Sequence, residues 1–288
     1  MRLARTLIDR DQAYAEPVLP QGLQELYDGD LHFPKPSDQR PFVIGNFVST
    51  LDGVVSYNIR GHSSGPTIRG SDSADRFIMG LLRASADAVM VGAGTVRDVS
   101  RKALWIPEYT YPDAKHLYAD YRVSVLHKPE YPLVVIVSGS GRLELERAIF
   151  QTQGVPTVVI TTSAGRDELA RAGVTKLRSV QVEAVDASNG GIAPLAILQL
   201  LCGQFGVRML LHEGGPTLLG SFLAAEAVDE LFLTLSPQIA GRKEGGIRPA
   251  LVQGIEFLPD SAPWFQLLSL KQEAAYLYLR YRRTGGRR

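Results

Sequence analysis

The sequence predicts an α/β protein of three layers, in which helices cover both faces of a mostly parallel central sheet. Two observations lead to this fold class. Short apolar runs typical of buried strands alternate along the chain with segments of helical spacing, and such alternation gives parallel strands joined by crossover helices. The closing residues 265–283 instead resemble two long strands in succession, which predicts an antiparallel hairpin at one edge of the sheet.

The bulk composition excludes several classes of protein. The 288 residues are 45% hydrophobic and carry a formal net charge of +1, so we expect a packed core and neither a nucleic-acid nor a membrane partner. The single cysteine excludes a disulfide framework and fits a cytoplasmic location. No apolar run reaches the ~18 residues of a membrane span. The histidines lack metal-ligand spacing, so no metal is expected; they are His32, His62, His116, His127 and His212.

The first segment, residues 1–39, is polar and rich in proline. We interpret it as an N-terminal arm, with a short helix near residues 20–28, that packs on a domain of residues 40–288. That domain begins with an apolar strand at residues 42–48. Further strands are predicted at residues 87–92, 131–141, 155–162, 179–185, 207–213 and 229–241.

Helical spacing follows most of these strands. The segment 72–85 places Phe77, Leu81 and the Ile78–Leu82 pair on one side, with Ser71 or Asp72 as a possible cap. Residues 99–130 fit no regular element and are interpreted as a long excursion of the chain. The other helices are predicted at residues 143–150, 165–173, 193–206 and 216–228.

The turn at Glu213-Gly214-Gly215-Pro216-Thr217 separates a predicted strand from a predicted helix. Glycines permit a sharp turn close to a ligand, and proline suits the first helical turn. Such a helix start binds phosphate through its free N–H groups and the helix dipole. A tight turn without any ligand is an equally good interpretation of this stretch alone.

A second glycine turn, Gly92-Ala93-Gly94-Thr95, follows the strand at residues 87–92. It resembles the start of a dinucleotide fingerprint, except that Arg97 stands where the third glycine belongs. The next strand is followed by Ser138, Gly139 and Arg142 rather than by an acid, which suits the 2′-phosphate of NADP. An ordinary strand-to-helix loop remains the alternative. A third turn, at Asp52, is by itself a common Asp-Gly turn.

Three stretches, residues 40–56, 81–98 and 210–241, together resemble the reductase domain of bacterial riboflavin biosynthesis, which has a dihydrofolate-reductase-like fold. The resemblance implies an enzyme that transfers a hydride from NADPH to the sugar C1′ of a ribosylaminopyrimidine phosphate, usually as a homodimer. The substrate class would then be 5-amino-6-(5-phosphoribosylamino)uracil or a close relative.

The resemblance also implies roles for individual residues. Thr95 matches a threonine of the NADPH site, Ser138 a serine near the adenosine, and residues 215–221 a phosphate-binding turn. Glu213, Arg83, Asn46 and Asp52 match substrate-binding positions. Either Glu213 or Asp52 would orient the pyrimidine or move a proton, and both are equally open to a structural interpretation. The full set of expected cofactor residues is Gly92, Gly94, Thr95, Ser138, Gly139, Arg142, Gly214, Gly215, Pro216, Thr217 and Leu218.

The sequence departs from the family pattern in the substrate half. Val54 follows the Asp-Gly turn where the family usually has Lys or Arg, and residues 97–107 replace a stretch that holds the ribose phosphate. Arg101 or Lys102 would have to substitute for its arginine. No deaminase zinc motif is present in this sequence. Three alternatives therefore stay open: a pterin or dihydrofolate reductase, a nucleotide-binding homologue without turnover, and a flavin or deazaflavin in place of NADPH.

Overall fold

A computed structural model describes residues 2–11, 18–35, 37–59, 64–188, 191–246 and 248–285. His62 and part of the expected N-terminal arm lie outside these residues. No helix in the described residues is long and apolar enough to cross a membrane.

The strands form one large sheet, in the order β1-β11-β12-β10-β2-β9-β3-β4-β5-β6, and a small two-stranded ribbon, β7-β8. The seven strands from β10 to β6 are mutually parallel, whereas β12, β11 and β1 run antiparallel at one edge. The predicted mostly parallel sheet with an antiparallel edge hairpin is confirmed. The strands are β1 Arg5–Asp9, β2 Phe42–Thr50, β3 Ala88–Gly92, β4 Leu133–Ser138, β5 Thr157–Thr161, β6 Val180–Ala184, β7 Ala187–Ser188, β8 Gly191–Ile192, β9 Met209–His212, β10 Glu230–Ser236, β11 Trp264–Glu273 and β12 Tyr276–Thr284.

Helices pack against both faces of the sheet, which gives the expected three layers. Neighbouring residues of a strand point to opposite faces, so Leu211 of β9 joins the core beneath Phe77, while Leu210 joins the core beneath Phe222. The helices are α1 Gln21–Tyr27, α2 Ser64–Arg69, α3 Ser73–Ser85, α4 Ala93–Asp98, α5 Pro107–Thr110, α6 Lys115–Asp120, α7 Ala148–Gln151, α8 Ser163–Arg171, α9 Pro194–Phe205 and α10 Pro216–Ala224.

Helix α3 forms where the sequence predicts it. The Asp72 carboxylate accepts the N–H groups of Ala74 and Asp75 and so caps the helix. The predicted apolar side is buried, and burial of such side chains supplies most of the stability of a helix of this length.

Residues 99–130 differ from the expected excursion without regular structure. They contain α5, α6 and a five-residue π-helix, and they pack over α3. Gly80 on α3 makes this packing possible, because a Cβ there would lie 2.7 Å from the Tyr118 ring. Tyr118 and Tyr121 are consequently core residues.

Two predicted helices are shorter than expected. The segment 143–150 is helical only from Ala148, because Arg147 is extended and directs its guanidinium to the carbonyl oxygens of Arg97 and Val99. Helix α10 ends at Ala224 because Glu226 is left-handed and the N–H of Ala227 returns to the Phe222 carbonyl.

The N-terminal segment adds a strand that the sequence analysis missed. Strand β1 pairs antiparallel with β11, so the described part of the arm extends the main sheet. The ammonium group of Lys271 donates to the Thr6 hydroxyl at 2.6 Å and to the Asp28 carbonyl at 3.1 Å, which fixes β1 against α1. The expected short helix of the arm is α1.

Candidate functional site

The candidate site lies at the carboxyl ends of the parallel strands. Helix α10, which follows β9, packs on one face of the sheet, whereas α3, which follows β2, packs on the other. Strand β9 lies between β2 and β3, so a crevice opens beside its carboxyl end. Crevices of this kind are where open α/β sheets bind ligands.

The two glycine turns of the sequence analysis lie side by side at this crevice. A Cβ placed on Gly215 would lie 3.5 Å from the Thr95 Oγ1 atom. Leu218 stands between the turns, with its Cδ2 atom 3.9 Å from the Cβ position of Gly92. Gly94 lies in the first turn of α4, directly before Thr95. The fold therefore joins two segments that are more than a hundred residues apart in the sequence.

The N-terminus of α10 has no side-chain cap. Gly215 occupies the cap position and Pro216 the first helical position, whereas Asp72 caps α3 and Thr162 caps α8. The N–H groups of Thr217 and Leu218 thus need water or a ligand. Together with the positive end of the helix dipole, they fit a phosphate group.

The turn between β9 and α10 is tightly packed around Gly214. A Cβ on Gly214 would lie 2.8 Å from Leu218 Cδ2 and 2.9 Å from His212 Cε1, so only glycine fits without rearrangement. The Gly214 N–H donates to Nδ1 of His212 at 3.2 Å, which places the histidine proton on Nε2.

His212 is a packed residue of strand β9. Its ring is fully buried between Phe47 and Phe222, with ring centroids at 5.8 and 5.0 Å. Burial lowers the pKa of His212 to about 4, so the ring is neutral at pH 7. Its Nε2 atom has no hydrogen-bond partner in the described residues.

The turn after β4 is held by its own polar groups. The buried Ser138 hydroxyl accepts the Gly141 N–H at 3.2 Å, and the Gly139 carbonyl accepts the Thr162 hydroxyl at 2.9 Å. Arg142 is exposed, and within the described residues its guanidinium makes no hydrogen bond or ion pair. Strand β4 lies next to β3, so the turn that carries Arg142 and the Thr95 turn follow neighbouring strands of the sheet.

Glu213 is the centre of a buried polar cluster at the end of β9. Its carboxylate accepts Nη2 of Arg83 at 2.7 Å and the Asn46 amide at 3.3 Å. The Nη1 atom of Arg83 donates to the carbonyl oxygens of Leu104 and Ile106. Arg83 therefore connects the acid to the segment that replaces the family's ribose-phosphate stretch.

Asp52 is bound to the neighbouring loop. Its carboxylate accepts the Thr50 hydroxyl at 2.5 Å and the N–H groups of Ala240 and Gly241 at 3.1 and 2.8 Å. These hydrogen bonds lower the pKa of Asp52 to about 2, because they favour the charged form. Asp52 is therefore ionised at pH 7.

The residues that depart from the family pattern do not bring a cation to the site. Val54 is fully buried and pairs with Ala250 in an isolated β-bridge. Arg101 is largely exposed and forms an ion pair with Glu144 at 3.1 Å. Lys102 is exposed as well.

Asp75 is a candidate that the sequence analysis missed. It lies in the first turn of α3, is 4% exposed, and has the Thr234 hydroxyl close enough to oppose the rise in its pKa that burial causes. Its helical spacing to Ile78 and Leu82, which places an acid on the apolar side of α3, was the signal that could have identified it. No cluster of three or more metal-ligating side chains occurs in the described residues.

Comparison with known proteins identifies relatives. The sequence profile of the RibD C-terminal domain family matches residues 41–273. The 2,5-diamino-6-ribosylamino-4(3H)-pyrimidinone 5′-phosphate reductase of Archaeoglobus fulgidus is 30% identical over 225 residues, which are 76% of this chain and 89% of that protein.

Solved structures share the fold. A pyrimidine reductase-like protein from Corynebacterium diphtheriae superposes with a TM-score of 0.64 at 20% identity, over 91% of this chain and 98% of its own. The diaminohydroxyphosphoribosylaminopyrimidine deaminase/5-amino-6-(5-phosphoribosylamino)uracil reductase of Thermotoga maritima gives a TM-score of 0.55 at 21% identity. That match covers 85% of this chain but only 57% of the longer Thermotoga protein.

Proposed function

The chain belongs to the RibD C-terminal domain family, and from this premise we propose that it is an NADPH-dependent reductase of a ribosylaminopyrimidine phosphate. One observation carries the proposal: the Thr95 turn and the uncapped start of α10 lie side by side at the crevice beside β9. A dinucleotide needs such a pair of close backbone approaches for its phosphates.

The residues of the crevice fit NADPH. The N–H groups at the start of α10 would hold the pyrophosphate beside Thr95, and Gly92, Gly94 and Gly215 would leave room for it. Gly214 instead permits the close packing of Leu218 and His212. When bound, NADPH supplies the hydride that goes to C1′ of the substrate, while the C1′ bond to the ring oxygen opens and that oxygen takes a proton.

Arg142 is the residue that would select NADPH over NADH. Its guanidinium is exposed and unpaired beside the expected adenosine end, and an arginine binds a 2′-phosphate through charge-assisted hydrogen bonds. Ser138 would shape this end of the site through the turn that its hydroxyl stabilises.

Glu213 and Asn46 would contact the substrate, and Arg83 would position Glu213. The Glu213 carboxylate lies at the end of β9, and its ion pair with Arg83 fixes its orientation. The Asp52 carboxylate accepts the N–H groups of Ala240 and Gly241 in the neighbouring loop, as well as the Thr50 hydroxyl. We assign Asp52 the anchoring of the loop beside the pocket rather than the movement of a proton.

A second candidate function is reduction of another heterocycle, such as a pterin or dihydrofolate. The observation that favours it is the lack of a ribose-phosphate cation at the family's positions: Val54 is buried, and Arg101 is paired with Glu144. A substrate without the phosphate would not need such a cation.

The assembly that we propose is a cytoplasmic homodimer. Leu51 and Ile239 are 58% and 73% exposed at neighbouring ends of β2 and β10, and we expect the dimer interface to cover them. A mass of about twice 31.4 kDa in light scattering is the expected result. A monomer at all concentrations would contradict it.

The function is tested by titrating the purified protein with NADPH and NADH, followed by turnover. Tight binding of NADPH and its oxidation with a ribosylaminopyrimidine phosphate are expected. Oxidation only with dihydrofolate or a pterin would establish the second candidate. NADPH binding without turnover would indicate a nucleotide-binding homologue, and a yellow or fluorescent protein would indicate a flavin or deazaflavin instead.

A further inference from the structure

Strands β2 and β10 continue past the end of β9 and form a step in the sheet. His212, the last residue of β9, lies opposite Gly45, whereas β2 continues to Thr50 and β10 to Ser236. Helix α3 runs antiparallel to these strands above the step. The eight residues from Arg83 back to Asp75 span about 12 Å along the helix, which is comparable to the length of a nucleoside.

A cavity lies over this step, beneath α3. Asn46, Ile78 and Thr234 line it, together with Tyr278 of the edge hairpin. Asn46 also donates to Glu213, and Thr234 lies close enough to Asp75 for its hydroxyl to oppose the rise in the Asp75 pKa. The cavity wall therefore connects the carboxylate beside the cofactor crevice to a second carboxylate at the far end of α3.

The far carboxylate has an unused oxygen. Oδ2 of Asp75 is buried and has no hydrogen-bond partner in the described residues, and neither has the buried Nε atom of Arg69. The two side chains form an ion pair at 3.6 Å, which is too long for a hydrogen bond. A buried donor and a buried acceptor left unused side by side call for a ligand or water between them.

We propose that Asp75 and Arg69 bind the edge of the substrate ring, and that Asp75 selects the 2-amino pyrimidinone over the corresponding uracil. This inference rests on the proposed function. A 4(3H)-pyrimidinone with a 2-amino group presents two N–H donors beside a carbonyl oxygen, which complement a carboxylate beside a guanidinium. In the uracil a second carbonyl replaces the amino group and would oppose the Asp75 carboxylate.

The surroundings of Asp75 favour this role over a purely structural one. Asp72, the other acid of the same turn, has its oxygens occupied by the N–H groups of Ala74 and Asp75 and by the Tyr278 hydroxyl. Burial raises the pKa of Asp75 to about 6, with Asp72 and Glu213 contributing in the same direction and Arg69 and Thr234 opposing. A bound N–H donor would favour the charged form and relieve this cost.

The test compares kcat/KM for the 2,5-diamino-6-ribosylamino-4(3H)-pyrimidinone 5′-phosphate and for its 2-oxo uracil counterpart. The wild type should prefer the diamino compound by at least tenfold, a ratio typical of a site built to hydrogen-bond a particular group. Asp75→Asn should reduce that preference at least tenfold, mainly because kcat/KM for the diamino compound falls. Asp167→Asn, the same substitution on the exposed surface of α8, is the matched control, and its ratio should equal that of the wild type.

A second measurement does not depend on how a variant folds. In the wild type, the preference for the diamino compound should rise as pH increases from 5 to 8, because Asp75 becomes charged across about pH 6. If both compounds are turned over and neither Asp75→Asn nor pH alters the ratio of their kcat/KM values, the inference is overturned and the proposed function stays intact. Turnover of neither compound would overturn both.

Discussion

The guanidinium of Arg83 lies 2.7 Å from the carboxylate of Glu213, and both side chains are almost completely buried. Arg83 uses its remaining donor for the carbonyl oxygens of Leu104 and Ile106. One ion pair thus fixes both the acid at the end of β9 and the segment that covers α3.

Replacing Arg83 should therefore destabilise the fold. Arg83→Met leaves Glu213 buried without its cation, and we expect the free energy of unfolding in urea to fall by about 3 kcal/mol. The double variant Arg83→Met/Glu213→Gln should recover part of this loss, because the uncompensated charge is gone. Arg171→Met breaks an exposed pair with Glu168 and should cost less than about 1 kcal/mol. If the double variant lost as much free energy of unfolding as the two single variants together, Arg83 and Glu213 would not be energetically coupled, and this prediction would be contradicted.

The phosphate-binding role that we propose for α10 predicts a specific effect at Gly215. Gly215→Leu places a side chain against Thr95, in the space that the cofactor phosphates would occupy. We expect NADPH to bind more weakly by about 2 kcal/mol, or roughly thirtyfold in Kd. Gly203→Leu introduces the same side chain on the exposed surface of α9, where nothing lies within 4 Å, and should leave Kd unchanged. Equal affinities for the two variants would remove α10 from the cofactor site.

Arg142 should determine the choice between the two nicotinamide cofactors. Arg142→Ala removes the unpaired cation after β4, and the ratio of NADPH to NADH affinity should fall about five- to tenfold. The loss should shrink at high salt, since the site is exposed. Arg171→Ala, which removes an exposed arginine of α8, serves as the control. An unaltered ratio in Arg142→Ala would place the 2′-phosphate elsewhere.

The buried His212 predicts an acid-sensitive stability. Its pKa falls from 6.5 to about 4 on folding, so below pH 6.5 the unfolded chain takes up a proton that the folded chain does not. Between pH 6.5 and pH 4 this proton uptake by the unfolded chain should lower the free energy of unfolding by about 3 kcal/mol. The raised pKa of Asp75 acts in the opposite direction over pH 6 to 3.8, so the two contributions oppose each other in the wild type.

The variant His212→Leu isolates the histidine contribution, because the Asp75 contribution cancels when the variant is compared with the wild type. Urea unfolding at several pH values should show the variant gaining stability relative to the wild type as pH falls from 6.5 to 4. A constant difference would mean that His212 titrates normally in the folded protein. The lost acceptor for the Gly214 N–H should appear as a pH-independent cost of about 1 kcal/mol.

The variant Asp52→Asn tests whether the acid in the turn after β2 acts chemically or structurally. Asp52→Asn weakens the bonds from Ala240 and Gly241, so stability should fall by about 1–2 kcal/mol. Hydrogen exchange at these two amides should accelerate, while kcat changes by less than about tenfold. A loss of kcat beyond about a hundredfold at unchanged stability would instead identify Asp52 as a proton-transfer group.

The elements around the crevice could be predicted from the sequence because their determinants are local. An apolar run, a glycine turn and a proline at the first helical position indicate where β9 ends and α10 begins. The same holds for the turn at Thr95. That these turns meet follows from the strand order, in which β9 lies next to β3, a neighbour relation that local patterns do not encode.

The features that the sequence did not predict depend on contacts between distant segments. The helices of residues 99–130 form against α3 because Gly80 admits the Tyr118 ring, and isolated helices of four to six residues carry almost no helical signal of their own. The unpaired oxygen of Asp75 could not be predicted, because Arg69 and Thr234, which lie beside it, come from other elements of the fold. Strand β1 was missed because its partner, β11, lies near the other end of the chain.

The central claim is that the crevice beside β9 directs a hydride to the ribosyl carbon of a pyrimidine. The most direct test is turnover of the 2,5-diaminopyrimidinone ribosyl phosphate with NADPH deuterated at C4 of the nicotinamide, with the product analysed by mass spectrometry and NMR. We expect one deuterium, located at C1′, in the product of the wild type and none in a reaction without protein. A product without deuterium, or no product despite bound NADPH, would contradict the claim.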